Sequence, residues 1–215
     1  MSIVGRDAEV TPGTVVVVID VIRAFTTAAV AFERGAAEIV CVASADAGRE
    51  LRRAWPDRLL IGEVGGLKPA DFDYGNSPLE MSAARVEGRG LIQATTNGTR
   101  GLVRHPHAAA LLAASAVNVA ATARWIAGNH PGTPWTLVCT GRGAEDRACA
   151  TYLDGLLRGT DPSRADLIAG IGAGAAEHGH VAGEDLPFCT DVDRSDFAMV
   201  GRVRSGRVTL SAVPG

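Results

Sequence analysis

Several short signatures that would settle a function quickly are missing from this chain. The four cysteines (Cys41, Cys139, Cys149, Cys189) form no CxxC pair and show no metal-ligand spacing. They read as reduced thiols, mostly in a core. No GxxxxGK[ST] string is present, which excludes a P-loop. Lys is nearly absent, and the positive charge is mostly Arg. A formal net charge of -3 leaves no polyanion-binding footprint, so neither nucleic acid nor an anionic membrane is an expected partner. The first residues, Met1 to Asp7, lack a basic stretch followed by an apolar one. The longest apolar runs are strand-length, well short of a membrane span. A cytoplasmic protein is the expectation. A length of 215 residues suits a single α/β domain over 1–215.

What is present alternates in a βα rhythm. Thr14 to Ile19 is an unbroken β-branched run, as a central strand buried on both faces requires. Phe25, Ala28, Ala29 and Phe32 follow at helical spacing, closed by Gly35. Glu38–Val42 and Leu59–Ile61 are further strands, with a helix between them from Ser44 to about Trp55. A parallel sheet with helices on its faces is therefore expected: an α/β, three-layer α/β/α fold. A long polar loop runs from Gly62 to Asn76, and loops of that length are usually functional or disordered. Ser77-Pro78 opens a short helix with Ser at the N-cap and Pro at N1. Strands are expected at Gly90–Ile92, Ala109–Ala113 and Trp135–Cys139, and helices after Val117 and after Gly143. Asp166 to Ala176 reads as helix. Phe188–Asp191 and the runs Ala198–Arg204 and Arg207–Val213, joined by Ser205-Gly206, read as a C-terminal β-hairpin.

Three polar clusters follow three of these strands: Asp20 with Arg23; Thr95, Thr96, Asn97, Gly98, Thr99 and Arg100; and Thr140 through Asp146 with Arg142. In an open parallel sheet, ligands sit beyond the carboxyl ends of the strands, so the clusters converge if those strands are neighbours. Hydroxyls, backbone N–H groups and an Arg fork in Thr95–Arg100 are the parts of an oxyanion cradle, although Asn97-Gly98 is first of all a turn signal. Asp20, Glu145 and Asp146 suit a hard cation such as Mg²⁺, which binds phosphate alongside one or two carboxylates. Arg23 and Arg100 suit phosphoryl oxygens. Glu145 and Asp146 are also well placed simply as acids in a helix's first turn.

Other motifs fail on inspection. A cysteine-phosphatase cradle starting at Cys139 would need Arg where Glu145 stands. Gly170 to Ala175 matches G-x-G-x-x-A, but it lies far from the N-terminal βαβ region where such a fingerprint belongs. A closely packed small-residue helix is the expectation there. The pairs His105/His107 and His178/His180 lack a third ligand in sequence reach and read as surface loop residues.

Four strings in order, Val16-Val-Val-Ile-Asp-Val-Ile-Arg-Ala24, Gly75-Asn-Ser-Pro78, Ala94-Thr-Thr-Asn-Gly-Thr-Arg100 and Gly143-Ala-Glu-Asp146, make the chain resemble the 2-phosphosulfolactate phosphatase (ComB) family. The resemblance runs from about residue 14 to 157. It implies an α/β/α fold and a Mg²⁺-dependent hydrolase that cleaves 2-phospho-3-sulfolactate to sulfolactate and phosphate, a step towards coenzyme M. It also implies that Asp20, Arg23, Asn76, Ser77, Thr95 to Arg100, Glu145 and Asp146 line the site. The connection from Thr140 to the Glu-Asp pair is shorter than the family pattern leads one to expect, so a different small phosphoacid stays open as substrate.

The expected partner is thus a small anionic phosphoacid, with a homodimer left open. Either water or Asp20 attacks phosphorus, and the residues do not choose between them. Lys68 and Arg142 are candidates for the substrate's second acid group. A non-catalytic phosphometabolite-binding module of the same fold is the alternative. Carboxylates argue against it, because anion binding gains nothing from them without a metal.

Overall fold

The computed structural model describes residues 2–178 and 183–215. The βα rhythm is there. Strand β1 (Ser2–Gly5) has no counterpart among the expected strands. It is followed by β2 (Val15–Ile19), α1 (Ala24–Glu33), β3 (Glu38–Val42), α2 (Ala45–Ala54), β4 (Leu59–Gly62) and α3 (Pro78–Ser82). Next come β5 (Gly90–Ala94), α4 (Gly98–Leu102), β6 (Ala110–Ala114) and a 3₁₀ turn at Ala116–Asn118 that leads into α5 (Val119–Asn129). β7 (Trp135–Cys139), α6 (Ala144–Leu157), α7 (Arg164–His178) and α8 (Leu186–Cys189) precede the hairpin β8 (Phe197–Arg204) and β9 (Arg207–Pro214).

The strands form one sheet in the order β1-β7-β2-β6-β8-β9-β3-β5-β4. Both flanks are parallel. The C-terminal hairpin is antiparallel to each flank and joins them: β8 pairs β6, and β9 pairs β3. The β2 and β3 strands, which a simple βαβ reading would set side by side, are thus held apart by three strands, β6 and the two hairpin strands from the far end of the chain. The hairpin closes through Ser205 (φ 49°) and Gly206 (φ 74°). Two positive φ values make the two-residue turn whose twist matches the strands.

Helices cover both faces. On one, α1, α3 and α4 pack over Val16, Val18, Ile39, Cys41 and Leu91. On the other, α5, α6 and α7 cover Val15, Val17, Ile19 and Leu137, while α2 covers Val40, Ile92 and Leu60. Helix α1 is buried all round, from Ala24 to Phe32. Its spacing suggested one apolar stripe, but α3, α4 and the 3₁₀ turn enclose its other side. A helix without a solvent face must be apolar on every side. Of its two threonines, Thr26 donates its hydroxyl to Val21 O at 2.7 Å, while the buried Thr27 hydroxyl has no hydrogen-bond partner among the described residues. Local caps form as expected. Ser44 Oγ accepts from Ala47 N at 3.2 Å, and Ser77 Oγ accepts from Glu80 N at 3.1 Å. Phe188–Asp191 is not a strand. It overlaps the short helix α8, whose first turn holds Pro187.

Candidate active site

β2 and β7 are adjacent and in register, with Ile19 beside Cys139. The next residue on each, Asp20 and Thr140, therefore meet at the carboxyl ends of the strands. Asp20 is 5% exposed. Its Oδ1 accepts from Ala24 N at 2.9 Å, and Thr140 Oγ1 donates to its Oδ2 at 3.0 Å. Asp146, in the first turn of α6, is 1% exposed. Its Oδ1 accepts from Val21 N at 2.8 Å. Its Oδ2 accepts from Gly141 N at 2.8 Å and Thr140 N at 3.1 Å, and lies 3.4 Å from Thr140 Oγ1. One hydroxyl with a single proton thus stands between two carboxylates.

Glu145 is buried beside them. A Cβ on Gly141 would stand 3.3 Å from both Glu145 Oε1 and Asp146 Oδ2. A Cβ on Gly143 or Gly174 would overlap the Glu145 carboxylate. Gly174 belongs to the G-x-G-x-x-A run, and Gly170 packs just as tightly on Ala148. That run is the close-packed face of α7 on α6.

Burial is the first cause of an unusual acidity. It pushes the Asp20 carboxyl up to about 6, against the opposing bonds from Ala24 N–H and the Thr140 hydroxyl, with the charges of Glu63 and Glu145 adding to the rise. Asp146 is raised well above the carboxylate range by burial and then by the charge of Asp20, although Gly141 and Val21 donate to it. Neither Asp20 nor Asp146 forms an ion pair with a described residue. Among the described residues no three His, Cys, Asp or Glu side chains are grouped to hold a metal ion. A two-carboxylate site is a different matter, because Mg²⁺ usually takes one or two carboxylates and completes its shell with water and phosphate oxygens. The all-oxygen donor set of Asp20, Thr140 and Asp146 fits such a hard cation.

The Thr-rich segment reaches this site by an unexpected route. β5 is not beside β2. Instead α4, in the β5-to-β6 crossover, straddles the hairpin strands and packs on β2, β3, β5 and β6. It brings Gly98 so close that a Cβ there would lie 2.7 Å from Asp20 Oδ2 and 2.6 Å from Ala24 Cβ. The hydroxyls shape the segment. Thr99 Oγ1 accepts from Thr95 N at 2.8 Å, and Thr95 Oγ1 accepts from Thr99 N at 3.0 Å. Thr96 donates through both N (2.5 Å) and Oγ1 (2.8 Å) to Glu63. Asn97 Oδ1 accepts from Arg6 at 2.5 Å. Arg100 is exposed and lines a cavity of about 350 Å³ with Thr95, Thr96, Glu63 and the start of α2.

Arg23 is largely buried, with Nη1 donating to Asp185 Oδ2 at 2.7 Å. Ser77 Oγ donates to Asp185 Oδ1 at 2.5 Å. Asn76 is buried, and its Oδ1 has no hydrogen-bond partner among the described residues. Arg142 is exposed on the loop after β7, and Lys68 sits 3.7 Å from Glu80. Of the histidines, His105 is buried rather than on the surface, while His107 is exposed. The side chain of His178 and all of His180 lie outside the described residues. Cys139 is a poor nucleophile, since burial and then Asp146 push its thiol up to about 12. Glu63, Asp185 and Arg6 were not among the expected site residues. Glu63 was visible only as an acid in a suspiciously long loop.

A model of 2-phosphosulpholactate phosphatase matches residues 5–171. The chain belongs to that family. A probable 2-phosphosulfolactate phosphatase of Bacillus subtilis is 33% identical over 215 residues, covering 91% of this chain and 90% of its own. One from Gloeothece citriformis is 37% identical over 164 residues, covering 72% of this chain and 68% of its own. One from Deinococcus radiodurans is 45% identical over 111 residues, covering 51% of this chain and 46% of its own. The match to the 2-phosphosulpholactate phosphatase family takes in Asp20, Asn76, the Thr-rich segment, Glu145 and Asp146, and ends before Asp185. Among the described residues no helix is long and apolar enough to cross a membrane.

Proposed function

We propose that this protein is a Mg²⁺-dependent phosphoric monoester hydrolase that converts 2-phospho-3-sulfolactate and water to 3-sulfolactate and inorganic phosphate. The observation that carries the metal-dependent reading is the pair Asp20 and Asp146. Both are buried, both are bonded to Thr140, both have raised pKa values, and neither forms an ion pair with a described residue. The phosphatase activity and its substrate are supported by the names of the relatives.

Mg²⁺ bound at Asp20 and Asp146 would neutralise the phosphate and polarise its oxygens. The chain's own groups do the rest. Backbone N–H bonds fix both carboxylates, so no reorganisation is needed when the phosphate arrives. Gly98 lets the start of α4 pack directly against Asp20, where a side chain would collide with the carboxylate. Arg23 uses Nη1 on Asp185 and Nη2 on Gly66 O, and keeps its remaining N–H groups for phosphoryl oxygens. As the ester P–O bond breaks, the negative charge on the leaving alkoxide needs a proton. Water supplies it, because the carboxylates that would hold Mg²⁺ stay ionised. Asp20 either orients the attacking water or attacks phosphorus itself. The cavity beside Arg100 offers room for the substrate's sulfonate or carboxylate.

Phosphate release from 2-phospho-3-sulfolactate and a panel of other small phosphoacids, with Mg²⁺ and with EDTA, tests this reading. Release that needs the metal is the expected result. Ligand-induced thermal stabilisation with no release from any phosphoacid would replace the enzyme by a binding module.

A further inference from the structure

Asp185 lies just before α8, in the part of the chain beyond the family match. Its carboxylate is 5% exposed and gathers three donors from distant segments. Oδ2 accepts from Arg23 Nη1 at 2.7 Å. Oδ1 accepts from Ser77 Oγ at 2.5 Å and from Leu79 N at 3.1 Å. On the other side of Arg23, Nη2 is 3.4 Å from Gly66 O, in the long loop after β4.

A buried ion pair is weak as a stabilising device, because desolvating two charges offsets most of their attraction. Its geometric effect is stronger. A guanidinium carries five donors in a rigid plane. Fixing Nη1 on a buried carboxylate removes the rotamer freedom of a long side chain while leaving most of the fork available to an oxyanion. Through Ser77 and Leu79 the same carboxylate also fixes the start of α3, next to Asn76. One residue from the C-terminal third therefore sets both the β2–α1 connection and the Asn76-Ser77 segment.

We propose that Asp185 is the positioning residue for Arg23, holding its guanidinium in the orientation that meets the substrate phosphate. The proposal rests on the phosphatase reading of the site. Asp185 does not touch the substrate and acts through Arg23. Asp185→Asn is the informative change. The amide keeps an oxygen for Ser77 and Leu79, but its NH₂ faces a guanidinium that can only donate.

The test is a four-member cycle of the full chain: wild type, Arg23→Ala, Asp185→Asn and the double variant, assayed for phosphate release with Mg²⁺ and with added guanidinium. Asp185→Asn is expected to lower kcat/KM about tenfold or more in the wild type and by less than about twofold in the Arg23→Ala background. Guanidinium at millimolar level is expected to restore part of the Arg23→Ala activity, and none in the double variant. Equal effects of Asp185→Asn in both backgrounds, or equal rescue with and without Asp185, would overturn the proposal. Should Asp185→Asn fail to fold, the titration of Arg23→Ala alone decides, with absence of rescue counting against Asp185. A wild type inert towards every phosphoacid would sink the phosphatase reading instead. The coupling would then be read from thermal stabilisation of Arg23→Ala by guanidinium, expected with Asp185 and lost in the double variant, and persistence in the double variant would refute it.

Discussion

At the rim of α2 and the loop after β4, acids and arginines are matched. Asp46 and Asp71 both meet Arg49, and Asp73 meets Arg52. At the ends of β2 and β7 the opposite holds, and among the described residues Asp20 and Asp146 bond to N–H groups and a hydroxyl. The acidity of the two groups moves in opposite directions. Asp71 is held below the usual carboxylate range by its bond to Arg49, while burial lifts Asp20 to about 6. The rim pairs are exposed, and such pairs contribute little because water already solvates both charges. The buried acids destabilise the fold near neutral pH. The arginine nearest to Asp20 in sequence, Arg23, is directed to Asp185 instead. Two desolvated carboxylates without an arginine beside them are the feature on which the proposed cation site rests.

The contrast can be broken at either end. The largest effect is expected at the buried end. Asp20→Asn or Asp146→Asn should lower phosphate release on the order of a thousandfold or more while the folded chain persists. Full turnover in either variant under saturating Mg²⁺ would remove the carboxylates from the chemistry. Next comes Gly98→Ala. Its Cβ would stand 2.7 Å from Asp20 Oδ2 and 2.6 Å from Ala24 Cβ, so one of them has to move. Overpacking of that kind costs about 1–3 kcal/mol. Urea unfolding should show that loss, and phosphate release should fall with it.

A third prediction concerns pH. The Asp20 carboxyl has a folded value near 6, above its unfolded value of 3.8. A raised value means the folded state holds the proton more tightly. Asp20, with its coupled neighbour Asp146, therefore favours folding below about pH 4, and that contribution is lost as pH rises through about 6. Unfolding free energy of the metal-free protein should follow that slope, and Asp20→Asn should flatten it. An identical slope in the variant would assign the titration to another group. The smallest effect is expected at the rim. Arg49→Ala should leave the denaturation midpoint essentially unmoved, and a large shift would mean that the two acid groups are not so different.

How far the sequence foretold this arrangement depends on where each partner lies along the chain. Asp20 after a β-branched strand, the Ser77-Pro78 cap and the acids opening α6 are encoded within a few residues of one another, and all appear where expected. Glu63, Asp185 and Arg6 act on residues 33, 162 and 91 positions away. No spacing rule reaches that far. The insertion of β8 and β9 between two parallel flanks was hidden for the same reason, since a hairpin looks alike at the edge of a sheet and in its middle. The Thr-rich segment looked like a cradle because its hydroxyls are numerous. In the fold, Thr95 and Thr99 are engaged with each other and Thr96 with Glu63, and it is Gly98 that faces Asp20.

The most direct test is a thermal-shift measurement of wild type and Asp20→Asn, with Mg²⁺ and with EDTA, at pH 7.5 and pH 5. The account predicts that Mg²⁺ stabilises the wild type at pH 7.5, less at pH 5 where protons occupy the carboxylates, and the variant much less at either pH. Equal melting temperatures with Mg²⁺ and EDTA at pH 7.5, or the same Mg²⁺ shift in wild type and variant, would contradict it.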